Sequence, residues 1–156
     1  MGAVKGISWR GADGRARHNA ERERIADLDG LGWPAFGKVD LKRYAGYGMM
    51  TSRGCPYPCT LCSVAPVWGW QTRHRSAKNI VEEMRALHET AGVDLFLFQD
   101  EFFVSGKAPV MEFCEAIRNS GMKIEWKAFG RVNLTDEEMM RAMAAVGCLE
   151  IRFGIE

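Results

Sequence analysis

No apolar run in these 156 residues approaches the roughly 20 that cross a bilayer, and Met1 to Arg10 lack the charged, apolar and small-residue regions of a secretion signal. The expectation is a protein with no membrane span in a reducing cytoplasm. Charge of one sign is scarce as well: 21 Lys and Arg stand against 20 Asp and Glu, leaving +1. Cations lead ten to six in residues 1–53 and trail eleven to fourteen in residues 54–156. The early arginines Arg10, Arg15, Arg17, Arg22 and Arg24 are interleaved with acids and glycines. That interleaving reads as a solvated, poorly ordered approach segment and argues against a nucleic-acid partner, which needs clustered cations. Low complexity is absent too. With 47% apolar, 10% aromatic and 26% charged residues, the chain can bury a core of its own.

A fourth cysteine is missing where three stand together. Cys55, Cys59 and Cys62 fall within eight residues, in a C-x3-C-x2-C pattern stiffened by Gly54, Pro56 and Pro58. In a reducing compartment such a cluster reads as metal binding rather than disulfides. A structural zinc site closes with four ligands, whereas three thiolates leave one coordination position open. Iron-sulfur clusters usually take four cysteines, so a 4Fe-4S cluster on this loop would keep one iron free. Cys114 sits among Val110, Met111, Phe113 and Ile117, and Cys148 follows Gly147 at the start of a strand. Both read as buried packing thiols; the alternative is that one completes a zinc or iron tetrathiolate.

Periodicity supplies the frame. Tyr47 to Ser52 reads as a strand leading into the cysteine loop. Ser76 caps a helix to about Thr90, with Ile80, Val81, Met84 and Leu87 on one face and Gly92 as its stop. Asp94 to Gln99 is a dense apolar run of buried-strand type. Pro109 at a first helical position and Gly121 bracket a second helix, and Lys123 to Ala128 alternates as a strand. Thr135 and Glu138 form a capping box ahead of Met139, Met140, Met143 and Val146, and Cys148 to Phe153 is the last strand. The order β-α-β-α-β-α-β implies an α/β fold with a parallel sheet. In such folds chemistry gathers on the loops at the carboxyl ends of strands. The cysteine loop, Asp100-Glu101, Arg131 and Gly154-Ile155-Glu156 each follow a strand, so all fall on one rim. His74, among arginines, reads as a surface side chain.

The segment Ser52-Arg53-Gly54-Cys55-Pro56-Tyr57-Pro58-Cys59-Thr60-Leu61-Cys62 resembles the cluster loop of the radical S-adenosylmethionine superfamily, specifically its cobalamin-dependent branch. Gly6-Ile7-Ser8-Trp9-Arg10, Ile25-Ala26-Asp27-Leu28-Asp29 and Trp33-Pro34-Ala35 resemble the join between that branch's cobalamin and radical domains. Arg73-His74-Arg75-Ser76, Phe98-Gln99-Asp100-Glu101-Phe102, Arg131 and Phe153-Gly154-Ile155-Glu156 match further family positions in order. The resemblance implies a 4Fe-4S cluster held by Cys55, Cys59 and Cys62, whose free iron binds the amino and carboxylate groups of S-adenosylmethionine. An electron from the cluster then cleaves the sulfonium, and a 5′-deoxyadenosyl radical takes hydrogen from substrate; the radical chemistry is the cofactor's own.

By the same resemblance Asp100 and Glu101 meet the cofactor's ammonium, Arg131 its carboxylate, and Glu156 lies near the adenosyl group. Tyr57 and Leu61 flank the cofactor, Leu61 standing where the family usually has an aromatic residue. The outcome would be methyl transfer, cyclisation or rearrangement of a small-molecule substrate, fed by an electron donor such as flavodoxin or ferredoxin. Alternatives are a non-enzymatic zinc or iron-sulfur module, or an inactive fragment.

An eight-unit α/β barrel takes about 250 residues, near 31 per unit. Residues 47–156 therefore hold about three and a half units of the family's six-stranded partial barrel. Residues 1–46 are too short for a cobalamin domain and carry no Asp-x-His-x-x-Gly, so cobalamin would enter through a domain outside this chain. The expectation is a linker over residues 1–46 and the N-terminal part of a radical core over residues 47–156, a partial barrel truncated to about four strands. Its last strand would be an exposed edge, prone to poor solubility or in need of a partner chain.

Overall fold

A computed structural model describes residues 1–154, so Ile155 and the candidate Glu156 lie outside the described residues. The chain begins with an antiparallel hairpin of β1 (Ser8–Arg10) and β2 (Ala16–His18). Short 3-10 turns follow at Asp29–Leu31, Phe36–Lys38 and Leu41–Arg43. The segment is thus ordered, not poorly ordered as expected, while its arginines are exposed as expected. Arg17 lies over the Trp9 ring at 5.7 Å and Trp9 donates to Asn19 at 3.1 Å, so residues that looked merely interleaved pair across the hairpin.

Beyond it come β3 (Tyr47–Met49), β4 (Ser52–Arg53), α1 (Val64–Trp68) and β5 (Arg73–His74). The rest is α2 (Ala77–Ala91), β6 (Leu95–Phe98), α3 (Lys107–Ser120), β7 (Glu125–Gly130), α4 (Glu137–Ala144) and β8 (Cys148–Phe153). Strands β3, β6, β7 and β8 form one parallel sheet in that order, each joined to the next through a helix. The expected alternation and parallel α/β sheet are therefore present. Among the described residues no helix is long and apolar enough to cross a membrane.

Local boundaries differ for identifiable reasons. The first strand stops at Met49 rather than Ser52, because the chain turns away to pair β4 antiparallel with β5. Helix α3 starts at Lys107, two residues ahead of Pro109, and β7 runs over Glu125–Gly130 rather than from Lys123. The cap of α4 is Asp136, whose carboxylate accepts from Met139 N at 2.8 Å. Thr135 instead donates to Val132 O, closing the preceding 3-10 turn, so the expected capping box does not form. Ser76 does cap α2, accepting from Asn79 N at 3.1 Å, and Gly92 ends it at φ 66°.

The core lies between the sheet and its helices. Phe96, Phe98, Trp126 and Ala128 point into it, while Leu95, Leu97 and Lys127 on the other face are only partly covered. The Leu95–Phe98 run thus buries alternate side chains rather than all of them. Phe98 stacks on Trp126 with centroids 5.3 Å apart, and Phe103 and Phe113 pack edge-on around the pair. Trp126 satisfies its indole on Val146 O at 3.0 Å. Lys127 pairs with Glu150 at 3.1 Å on the sheet's other face. The packed helix side fixes the strands, and the strands fix where the loops at their carboxyl ends begin.

Candidate metal and cofactor site

The cysteine loop leaves the sheet from a fixed root. Asp100, just past β6, is 2% exposed and accepts from Thr51 N at 2.7 Å, Thr51 Oγ1 at 2.7 Å, Ser52 N at 2.5 Å and Ser52 Oγ at 3.1 Å. On the other flank Arg75 N donates to Thr51 O at 2.8 Å and Arg75 Nη1 to Met50 O at 3.0 Å. Arg75 also forms an ion pair at 2.5 Å with Glu83, which is 1% exposed on α2. Burial pushes the carboxyls of Asp100 and Glu83 up, against the opposing pull of their partners. Burial and the charge of Glu83 likewise push the Tyr47 phenol up to about 12.

Gly54 completes the root with a conformation that a side chain would block. Its φ is +98°, and a Cβ there would stand 2.2 Å from Gln71 O. The far side of the loop returns through Cys55 N, which donates to Gly69 O at 3.5 Å, and Thr72 Oγ1, which donates to Gly54 O at 3.3 Å. Arg73 ties this return to the N-terminal segment, donating to Ile25 O at 2.7 Å and Trp68 O at 2.9 Å. Arg24 adds a bond to Val67 O at 2.5 Å.

The tip is open. Cys59 and Cys62 are exposed, Cys55 is half-buried, and Leu61 is 98% exposed. Cys62 N donates to Cys59 O at 3.1 Å, a turn that brings the last two cysteines back along the loop. All five cysteines are free thiols. Cys114 is buried in the core and Cys148 packs against it, and burial raises both thiols to about 11. The free donor set left for a metal is Cys55, Cys59 and Cys62, soft thiols that fit iron or zinc. Among the described residues no three ligating side chains already converge into a cage.

Tyr57 gathers the rim around this loop. Its ring packs edge-on against Phe102 with centroids 5.7 Å apart, and the Arg131 guanidinium lies 4.0 Å above it. Arg131 Nη1 stands 3.8 Å from Cys59 Sγ. The neighbouring rim holds two buried polar atoms without partners, Arg131 Nε and Glu101 Oε2. One is a donor and one an acceptor, the pair that a ligand carrying both an anionic and a cationic group would satisfy. The structure brings Cys59, Tyr57 and Arg131 together and leaves Glu101 on the same rim. It does not bring Asp100 there: that carboxylate is turned inward and occupied by Thr51 and Ser52. Leu61 touches none of these side chains, and Glu156 lies outside the described residues.

Sequence reasoning missed the root. Thr51, Ser52, Arg75 and Glu83 carry it, and Glu83 gave a readable signal: it is an acid on the Ile80, Met84, Leu87 stripe that α2 buries.

The family model described as the Radical SAM superfamily matches residues 49–156. An uncharacterized methyltransferase of Pyrococcus horikoshii is 31% identical over 98% of this chain and 34% of its own length. The anaerobic magnesium-protoporphyrin IX monomethyl ester cyclase of Synechocystis is 38% identical over 75% of this chain and 24% of its own. The cobalamin-dependent S-adenosylmethionine radical enzyme OxsB, solved with aqua-cobalamin bound, shares the fold at a TM-score of 0.79 and 20% identity, covering 98% of this chain and 24% of that one. The chain thus spans a quarter to a third of the length of these relatives.

Proposed function

This chain belongs to the Radical SAM superfamily, and from that premise we propose that it carries the cluster loop and cofactor rim of an enzyme that reductively cleaves S-adenosylmethionine. Cys55, Cys59 and Cys62 would hold a 4Fe-4S cluster, which supplies the electron for that cleavage. The observation that carries the reading is the rim itself, where Arg131 Nη1 stands 3.8 Å from Cys59 Sγ and a Glu101 oxygen and an Arg131 nitrogen are buried without partners. An amino acid headgroup presents an ammonium and a carboxylate, and those two atoms are its complement. Glu101 takes the ammonium and Arg131 the carboxylate. Tyr57 orients the guanidinium by stacking beneath it, and Phe102 backs the ring and keeps water from that side. Leu61 lies on the adenine side of the loop.

Residues 1–46 are the join to a cobalamin-binding domain, and residues 47–156 open the radical domain. The relatives named above support methyl transfer or cyclisation of a small molecule as the outcome, with cobalamin as a second cofactor and a flavodoxin or ferredoxin as reductant. Anaerobic reconstitution tests the reading. About four irons per chain, with 5′-deoxyadenosine and methionine formed together on reduction in the presence of S-adenosylmethionine, are expected. Zinc bound in place of iron, or iron with no cleavage when the cluster is reduced, overturns it.

A further inference from the structure

Asp100 is a buried acid with no cation beside it. Its four partners are neutral, two amides and two hydroxyls, and the nearest arginine of the root, Arg75, is paired with Glu83. Taking a carboxylate out of water without a counter-charge is costly, and the upward push on its pKa records that cost. An uncharged residue of similar size would spare that cost, so the charge by itself does not account for an acid here.

The geometry does account for it. Four donors on two successive residues converge on one side chain, and only a carboxylate offers two oxygens that both accept on every side. That convergence fixes the backbone of Thr51 and Ser52, and with it the direction from which Gly54 and Cys55 depart. The next residue along, Glu101, keeps a buried Oε2 without a partner. One backbone step at the end of β6 therefore ties the root of the cysteine loop to the carboxylate of the rim.

We propose that Asp100 is a positioning residue that sets the direction in which the cysteine loop leaves the sheet, and so the place of Cys55 relative to Glu101. The inference rests on the reading that the three cysteines hold an iron-sulfur cluster. It gives Asp100 a task distinct from touching the cofactor: the residue acts through Thr51 and Ser52.

The test is Asp100→Asn in the full chain, which keeps the size, removes one acceptor oxygen and turns an NH2 group toward the Thr51 and Ser52 donors. In the metal-free protein, hydrogen exchange at the amides of residues 51–55 is expected to quicken by about tenfold or more, with α3 amides unchanged. After anaerobic reconstitution, iron is lost to a chelator about 10- to 100-fold faster, and the reduced-cluster EPR signal broadens as Cys55 samples several positions. Met143→Ala, a core variant in α4, serves as the stability-matched control: it lowers the melting temperature without changing iron retention or the EPR line shape. If Asp100→Asn does not fold, the pair Thr51→Val and Ser52→Ala removes two of the four donors and must show the same ordering of effects.

Unchanged exchange at residues 51–55 together with native iron retention in Asp100→Asn overturns the proposal. A wild-type chain that takes up no iron would instead overturn the cluster reading, and the exchange measurement in metal-free protein would still decide the role of Asp100.

Discussion

The root and the tip of the cysteine loop are built on opposite principles. From Met49 to Gly54 the backbone is buried, its polar groups are matched by Asp100 and Arg75, and Gly54 leaves no room for a side chain. From Cys55 to Ser63 the chain is largely exposed, and its thiols have no partners in the fold beyond Arg131 near Cys59. A rigid base aims the loop, and a free tip lets three sulfurs adjust around a metal. Such division of labour suits a site that must assemble on binding rather than wait preformed.

The sharpest way to break the comparison is at the tip. Cys59→Ala should abolish iron uptake, because two thiols cannot hold a cluster that three would bind. Its exposure predicts a stability change within about 0.5 kcal/mol. Iron analysis beside a urea melt checks both halves; iron retained at the wild-type level removes Cys59 from the ligand set.

At the root the expectation inverts. Arg75→Ala strands Glu83 as an unpaired buried charge and removes the donor to Met50 O, and loss of one partner of such a pair costs about 3–5 kcal/mol. Denaturant melts of the metal-free protein measure this directly. A loss below about 1 kcal/mol would mean that the pair is screened as a surface ion pair is, and that the root is not the rigid half.

The same contrast explains what could be read in advance. The tip announces itself, because three cysteines at fixed spacing are local in sequence, and so were the helices and strands whose apolar periods span single segments. The root is made of pairs far apart in the chain: Asp100 with Thr51, Arg75 with Met50, Ile25 with Arg73. The family resemblance implied that Asp100 is a cofactor ligand, but the direction of its side chain is set by Thr51 and Ser52, which no linear pattern couples to it. The hairpin of β1 and β2 was hidden for a similar reason, since exposed arginines among acids look unordered until Arg17 is seen over Trp9.

The thiols extend the comparison to pH. A native-state thiol with its pKa near 11 holds about a hundredfold less thiolate than one at the ordinary 9.0. Cys114 and Cys148 should therefore react slowly with a disulfide reagent, and the exposed Cys59 and Cys62 first. The linkage has a definite sign. The folded state keeps these protons longer than the unfolded chain, so their contribution is fully present below pH 9.0 and is lost as pH rises toward about 11. Denaturant melts across that range should show falling stability, and a Cys114→Ala, Cys148→Ala chain should show a flatter slope.

The smallest effect is the most selective. Leu61 is 98% exposed and touches nothing, although the resemblance would have an aromatic residue before the third cysteine. Leu61→Trp should leave stability within about 0.5 kcal/mol of wild type, since the position makes no packing contact to lose. Iron content should be unchanged because the cysteines are untouched. If the adenine of S-adenosylmethionine lies on this side of the loop, an added indole face should tighten its binding by about 1 kcal/mol, close to fivefold, as base stacking on aromatic side chains does. Titration calorimetry on the reconstituted chain reads that change. Tighter binding at constant stability would show that the tip is tuned by its ligand while the root is tuned by the fold; a destabilised Leu61→Trp would mean that the tip packs as the root does.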